Sequence, residues 1–233
     1  MPRRTLLLLV IAALALVSPA PIRAWRLSDS RLERVPVPSA LRVVRAQTSA
    51  DFDRDGLPET LTLTEGHAVI ATGDRTRWES PSAWQVQQAQ ITDLDRDGMP
   101  EAALLVWRSF QPWPVDRWLP NGGRIDAFHD SNGMACHLIL IGWNRDALRE
   151  LWAGSALAEP VDRFAAADLL GDGRQYLVTL QGEYGDAPSA PSRRLKVWEW
   201  NGFGFTLVHG LEASFRLLVP VQVEAGQVLL LTD

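Results

Sequence analysis

Carboxylate side chains recur at fixed positions in two short segments of this chain. Residues 51–59 read DFDRDGLPE and residues 93–101 read DLDRDGMPE, so the second copy starts 42 residues after the first. Each segment has carboxylates at its positions 1, 3, 5 and 9, and a glycine at position 6 that permits a sharp turn. Hard oxygen ligands concentrated around one point are what Ca²⁺ requires. We call these segments acidic loop 1 and acidic loop 2.

The sequence therefore predicts two calcium sites, each made by one loop. The carbonyl of position 7 would add a main-chain ligand to the four carboxylates. The predicted ligands are Asp51, Asp53, Asp55, the Leu57 carbonyl and Glu59 in acidic loop 1, and Asp93, Asp95, Asp97, the Met99 carbonyl and Glu101 in acidic loop 2.

A third segment, residues 168–176 (DLLGDGRQY), follows the same pattern less completely, and we call it loop 3. It keeps positions 1, 5 and 6, but Leu170 stands at position 3 and Tyr176 at position 9. Loop 3 has lost too many oxygens to be a good calcium site.

Two other interpretations of the acidic loops compete with this one. An EF-hand shares the first six positions, but it needs a bidentate glutamate at position 12 between two helices, where this chain has Thr62 or Leu104. Alternatively, the loops are only solvated hairpin corners, because Asp and Gly populate turns without any metal. Four carboxylates within nine residues would repel one another without a cation, and this favours metal sites in acidic loops 1 and 2.

Short apolar or alternating runs flank each loop and predict β-strands, so that each loop joins two strands of one sheet. A unit of one strand, a loop and three more strands, repeated at a period near 42 residues, is typical of a propeller-like array. The strands are predicted at residues 41–45, 60–63, 84–91, 102–107, 137–141, 148–152, 161–165, 176–180, 195–200, 203–207, 215–223 and 227–231.

The predicted fold is all-β, a β-propeller-like array of four-stranded blades with three full units and a partial one. Either the residues before Asp51 complete the fourth unit, or the sheets form an open arc. Residues 109–135 exceed the period and predict an insertion between strands.

Asp-x-Asp-x-Asp-Gly loops that precede a β run at this period resemble the FG-GAP and VCBS-type repeats of integrin-like β-propellers. The similarity covers about residues 41–231. It implies Ca²⁺ at positions 1, 3, 5, 7 and 9 of the loop between the first two strands of a blade. The chain departs from the family in lacking a Phe-Gly followed by Gly-Ala-Pro, and in having Glu at position 9.

The first 24 residues predict a secretory signal peptide, because Arg3 and Arg4 precede an apolar run and small residues follow at Ala20 and Ala24. Cleavage after Ala20 or Ala24 would leave one domain, residues 25–233, that is secreted or periplasmic and has no membrane span. The apolar run of residues 5–17 is shorter than the roughly 20 residues of a spanning helix.

Charge and cysteine content limit the function classes. Signal removal takes the basic residues from 23 to 20 against 28 acidic residues, a net charge of −8, which disfavours a nucleic-acid partner. Cys136 is the only cysteine, so no intramolecular disulfide is possible.

The insertion carries the candidate ligand-binding residues Trp113, Trp118 and His129. Tryptophans in a Pro-containing loop suit stacking on a sugar or packing on a partner, although they could also cover the protein's own hydrophobic surface. The Asn132-Gly133 turn signal could place His129 opposite His137 on paired strands, but a solvent-exposed or hydrogen-bonded role for each histidine is favoured over a paired one.

We therefore expect a non-catalytic binding or adhesion module for an unidentified protein or polysaccharide. The alternative is a hydrolase or lyase that acts on polysaccharide and uses His129 and Asp130 on the propeller face. No nucleophile elbow, phosphate loop or zinc-protease motif is present in the sequence.

Overall fold

The computed structural model describes residues 21–111, 128–223 and 226–233. Within those residues, no helix is long and apolar enough to cross a membrane. The strands of the described residues are β1 (Arg23–Ser28), β2 (Arg31–Val35), β3 (Arg42–Val43), β4 (Ser49–Ala50), β5 (Glu59–Thr64), β6 (His67–Thr72), β7 (Arg75–Glu79), β8 (Gln85–Thr92), β9 (Glu101–Ser109), β10 (Met134–Asn144), β11 (Ala147–Ala153), β12 (Val161–Ala167), β13 (Tyr176–Gln181), β14 (Ser192–Trp200), β15 (Phe205–Phe215), β16 (Val219–Gln222) and β17 (Val228–Thr232).

The strands form four antiparallel sheets, which confirms the predicted all-β, propeller-like array. Three of the sheets have the predicted four strands, and one has five. Three sheets follow chain order: β4 to β7, β8 to β11, and β12 to β15. The fourth has the order β2-β1-β17-β16-β3 and joins strands from the two ends of the described chain. The residues before Asp51 therefore complete the fourth sheet, as one of the two sequence alternatives proposed.

Two predicted strand boundaries were wrong in an informative way. The run at 41–45 forms only the short β3, which pairs with β16 and not with the strand after acidic loop 1. Leu41 and Val43 pack against the apolar cluster of the fourth sheet, and this packing draws the run there. The strand that leads into acidic loop 1 is β4 instead. The strand predicted at 215–223 was also wrong at its start, because β15 extends to Phe215 and β16 begins only at Val219.

The chain divides into two compact units. Unit 1 contains the described residues up to Arg45 together with Arg163–Leu180 and Pro191–Asp233. Unit 2 contains Ala46–Asp162 and Gln181–Ala190. Unit 2 therefore holds β4 to β11 and both acidic loops, while loop 3 belongs to unit 1.

The core of unit 2 is built on its central strands. In β9 the six residues from Glu101 to Val106 are all buried, and β10 is nearly as completely covered. Inner strands that are covered on both faces have continuous apolar runs, and this explains why β9 and β10 could be predicted from the sequence. Strand β5, which lies between β4 and β6, instead alternates, with Leu61 buried between exposed threonines.

The pairing of β1 with β17 predicts where an N-terminal truncation starts to destabilise the protein. Ala24 is fully buried opposite Leu231, and the Trp25 indole N–H donates to the Thr232 hydroxyl over 2.9 Å. A chain that starts at Pro21 keeps all of β1, whereas a chain that starts at Trp25 loses Arg23 and the buried Ala24. We expect the shorter chain to lose about 1–3 kcal/mol of unfolding free energy, which lowers the melting temperature by roughly 2–4 °C per kcal/mol.

Thermal unfolding of the two purified chains, followed by circular dichroism, measures this difference. Equal melting temperatures would show that the first two residues of β1 contribute no stability.

Candidate metal centres

The two acidic loops have the same backbone conformation. The arginine at position 4 is left-handed in both, with φ of 60° at Arg54 and 64° at Arg96. Position 6 is left-handed as well, with φ of 88° at Gly56 and 78° at Gly98, a conformation that glycine adopts without steric cost. Two left-handed residues two positions apart fold each nine-residue segment back on itself, so that its first and last residues approach each other.

Buried side chains hold both ends of each loop in place. Position 2 is Phe52 in acidic loop 1 and Leu94 in acidic loop 2, and both side chains are fully buried. Position 9 is the first residue of the following strand, and Glu59 and Glu101 are each only 1% exposed there. Each loop therefore has an apolar residue near its start and a buried carboxylate at its end.

In acidic loop 1 the structure brings three carboxylates together. Ligand oxygens of Asp51, Asp53 and Glu59 all lie within 4.8 Å of one another. Glu59 Oε2 accepts a hydrogen bond of 3.0 Å from the Phe52 amide, and Oε1 accepts one of 2.8 Å from the Thr72 hydroxyl. The glutamate thus closes the loop through the main chain of position 2.

Acidic loop 1 also contacts an arginine. Arg77, on β7, donates a hydrogen bond of 2.6 Å to Asp53 Oδ2, and both side chains are mostly buried. A charge-assisted bond of this length commits one oxygen of Asp53 to a cation that the protein itself provides.

In acidic loop 2 the equivalent carboxylates of Asp93, Asp95 and Glu101 also lie within 4.8 Å of one another. Glu101 Oε1 accepts hydrogen bonds of 2.6 Å from the Leu94 amide and from the Thr92 hydroxyl. Glu101 Oε2 is buried and has no hydrogen-bond partner among the described residues. A buried carboxylate oxygen without a partner is energetically costly, and a cation in the cluster would satisfy it.

Burial makes the ionised form of acidic loop 2 unfavourable. Desolvation raises the pKa of Glu101 to about 8, and the neighbouring Asp95 and Asp93 charges act in the same direction. Burial also raises the pKa of Asp95, followed by the repulsion of Asp97. Both shifts arise where burial and neighbouring carboxylates disfavour the ionised form, which is the situation that a bound cation relieves.

The aspartates at position 5 act differently from the other carboxylates. Asp55 Oδ1 accepts a hydrogen bond of 2.8 Å from the Leu57 amide, and Asp97 Oδ1 accepts one of 2.7 Å from the Met99 amide. Neither aspartate belongs to the three-carboxylate cluster of its loop. The structure therefore brings together positions 1, 3 and 9, while the position 5 side chains and the position 7 carbonyls stay predicted ligands.

Loop 3 has the same bend without a carboxylate cluster. Gly171 and Gly173 have φ of 74° and 82° at positions 4 and 6. Asp168 accepts hydrogen bonds from the amides of Gly171, Asp172 and Gly173, so its carboxylate is used to hold the turn. Among the described residues only acidic loops 1 and 2 gather three possible metal ligands, in agreement with the expectation for loop 3.

His129, in the last part of the insertion, and His137, just after it, do not form a pair. His137 lies opposite Val106 on β9 and is buried, with its Nδ1 3.0 Å from the Gly154 carbonyl. His129 Nδ1 lies 2.7 Å from the Asp130 carbonyl, before β10 begins. The two histidines therefore do not oppose each other, because the strand that pairs with β10 at this point is β9. Each has its own hydrogen-bond contact with a main-chain carbonyl, which is the role that the sequence favoured.

Asp130 has a local structural role. Its Oδ1 accepts hydrogen bonds of 2.8 Å from the amides of Asn132 and Met134 and so holds the turn that starts β10. His129 packs against Phe110, with ring centroids 5.2 Å apart. Trp113 and Trp118 lie outside the described residues.

Three residues of the two centres were not identified from the sequence. Thr92 directly precedes acidic loop 2, so its contact with Glu101 could have been suggested by adjacency. Thr72 and Arg77 come from the β6–β7 hairpin, and no motif in that hairpin indicates that it contacts acidic loop 1. Their contacts with acidic loop 1 depend on how the β6–β7 hairpin packs in its sheet, which the sequence pattern does not indicate.

A comparison of the chain with protein-family models and with curated protein sequences found no match.

The buried Glu101 predicts how stability depends on pH when divalent cations are absent. Its pKa is raised from 4.5 to about 8 by folding, so the folded state holds a proton that the unfolded state releases. Its contribution to stability is fully present below pH 4.5 and is lost as pH rises through 8. In excess chelator, the unfolding free energy should therefore fall between pH 5 and pH 8 more steeply in the wild type than in Glu101→Gln, which cannot ionise.

Urea unfolding at several pH values measures the two slopes. Parallel profiles for wild type and Glu101→Gln would contradict a buried, proton-holding Glu101.

Proposed function

We propose that this chain is an exported, Ca²⁺-stabilised repeat protein of the FG-GAP/VCBS-like type, and that it serves as a non-catalytic binding or adhesion module for a protein or a polysaccharide. The observation that carries the proposal is the acidic cluster of loop 2, in which a fully buried glutamate presents an unpartnered oxygen beside two aspartates. Acidic loop 1 repeats the cluster in the adjacent sheet of the same unit.

The chemistry of the ligands favours Ca²⁺ among the common cations. Both clusters offer carboxylate oxygens, and neither contains a histidine or cysteine of the kind that zinc and copper sites use. Ca²⁺ takes six to eight oxygens in flexible geometry, which suits a loop that supplies carboxylates, a carbonyl and room for water. Mg²⁺ demands a near-ideal octahedron and gives up its water reluctantly.

The position of the clusters supports a structural role for the metal. Position 9 begins a strand, and positions 1 and 3 lie in the loop that enters it, so an ion would join the ends of two neighbouring strands. The ligands converge only when the loop is bent as in the native protein. An ion that binds the folded state alone stabilises that state by mass action.

The binding role rests on the architecture and on the insertion. A sheet array with loops at the strand ends is a scaffold onto which different functions are placed, so the ligand is determined by loops such as residues 109–135. The hydrolase or lyase alternative gains no support from Asp130, because that carboxylate holds its own turn.

Calcium removal is expected to destabilise the protein. At a calcium concentration about 100 times the Kd, binding contributes about 2.7 kcal/mol. At roughly 2–4 °C per kcal/mol, excess chelator should therefore lower the melting temperature by roughly 5–10 °C. Glu101→Gln should lose most of this response, while Asp172→Asn in loop 3 should keep it, since loop 3 forms no cluster.

Differential scanning calorimetry with and without chelator, together with elemental analysis of the purified protein, provides the measurement. An unchanged melting curve in chelator, with no calcium found by elemental analysis, would rule out the metal assignment.

Ligand binding is expected to depend on the tryptophans of the insertion. Trp113→Ala and Trp118→Ala should each weaken binding on a glycan array or in a pulldown with a partner protein by about tenfold, because a stacked aromatic ring contributes roughly 1–2 kcal/mol. Phe203→Ala is a matched control, since Phe203 is 89% exposed at the hairpin tip between β14 and β15 and is outside the insertion. Full binding by both tryptophan variants would remove the insertion from the ligand site.

A further inference from the structure

The two acidic loops differ in their surrounding cations. Asp53, at position 3 of acidic loop 1, forms an ion pair with Arg77 at 2.6 Å. Among the described residues, no lysine or arginine forms an ion pair with Asp95, at position 3 of acidic loop 2, or with Glu101. Two closely similar loops therefore differ in that one has an aspartate ion-paired to an arginine and the other has an unpartnered buried carboxylate oxygen.

We propose that Arg77 is a built-in counter-cation of acidic loop 1, so that acidic loop 2 is the tight calcium site and acidic loop 1 the weak one. This inference rests on the proposed calcium binding and adds an order of affinity between the two sites.

Arg77 is held where it is by more than the ion pair. Its side chain is only 18% exposed, and its guanidinium lies over the Trp143 ring, 5.4 Å from the centroid. A planar guanidinium stacked on an indole is restrained in orientation and does not swing freely into solvent. An incoming Ca²⁺ would therefore meet the positive charge of Arg77 at close range and would not displace it easily.

The hydrogen bonds of the two glutamates support the same order of calcium affinity. In acidic loop 1 both oxygens of Glu59 have donors, Phe52 N and the Thr72 hydroxyl. In acidic loop 2 both donors, Leu94 N and the Thr92 hydroxyl, act on Oε1 of Glu101, and Oε2 has none. Both carboxylate oxygens of Glu59 therefore have hydrogen-bond donors without an ion, whereas Oε2 of Glu101 gains a partner when an ion binds.

Charge balance gives the same order. Each loop carries four acidic residues within nine positions. Arg77 offsets one of these charges at acidic loop 1, and this lowers the attraction for a divalent ion. Arg54, from acidic loop 1, donates a hydrogen bond of 3.2 Å to the Gly98 carbonyl of acidic loop 2, and it forms no ion pair with Asp95 or Glu101 among the described residues.

Isothermal titration with CaCl₂ tests the order of affinity. Asp51→Asn and Asp93→Asn are matched substitutions at position 1, and they leave acidic loop 2 and acidic loop 1, respectively, as the intact site. We expect Asp51→Asn to bind one calcium at least about tenfold more tightly than Asp93→Asn. This comparison leaves Arg77 intact, so it holds even if Arg77 variants fail to fold.

Arg77→Gln, combined with Asp93→Asn, tests whether Arg77 is the reason for the lower calcium affinity of acidic loop 1. Loss of the guanidinium should raise the calcium affinity of acidic loop 1 about tenfold, and Arg77→Lys should not. In the Asp51→Asn background, where only acidic loop 2 is intact, Arg77→Gln should leave the calcium affinity unchanged. Arg75→Gln removes an exposed positive charge from the same strand and is the control for a general charge effect.

Equal affinities in the two single-site variants would overturn the inference, as would a loss of affinity in Arg77→Gln, which would mean that Arg77 orients Asp53 as a ligand. These outcomes differ from the failure of the proposed function, in which neither loop binds calcium.

Discussion

A buried glutamate that accepts a hydrogen bond from the main chain seven residues earlier is the interaction on which both acidic loops depend. Glu59 accepts from the Phe52 amide and Glu101 from the Leu94 amide, at 3.0 and 2.6 Å. The residues that donate, Phe52 and Leu94, both have fully buried side chains, and Phe52 packs in the main apolar cluster of unit 2. Sheet, core and loop are thus joined at one carboxylate, and that carboxylate brings its charge into the protein interior.

Burying this negative charge is energetically unfavourable, and the three loops differ in how the charge is compensated. In acidic loop 1 each oxygen of Glu59 has its own donor, and the guanidinium of Arg77 pairs with Asp53. Acidic loop 2 retains an unpartnered oxygen and a raised pKa at Glu101, which is the state that a bound cation would relieve. Loop 3 removes the problem, because its position 9 is Tyr176 and its position 3 is Leu170.

Loop 3 also shows that the bend itself does not require a metal. Its two glycines adopt the same left-handed conformations as positions 4 and 6 of the acidic loops, and Asp168 holds the turn through main-chain amides. The bend is therefore a property of the backbone and of position 1. Carboxylates at positions 3 and 9 are additions to this turn, and a cation is the simplest physical reason for adding them.

The sequence predicted the features that depend on local spacing. The 42-residue repeat, the loop between the first two strands of a sheet, and the weak third copy were all readable from residue types. The all-β fold class was also readable, because inner strands such as β9 are continuous apolar runs.

Features that depend on long-range packing were not predicted. The fourth sheet joins β1 to β17, which are about 200 residues apart, and no local pattern encodes that pairing. Arg77 reaches Asp53 only because β7 and acidic loop 1 belong to the same unit. The residue that faces His137 was not predictable for the same reason, since the pairing of β9 with β10 places Val106 there.

The most direct measurement is a crystal structure of the mature protein grown with CaCl₂, with anomalous data to identify calcium. The predicted result is an anomalous peak in acidic loop 2, about 2.3–2.6 Å from oxygens of Asp93, Asp95 and Glu101, with strands on both sides of the loop. A loop without an ion at millimolar calcium, or one in which these three carboxylates point apart into solvent, would contradict the claim that a divalent cation neutralises the buried charge at the start of the strand.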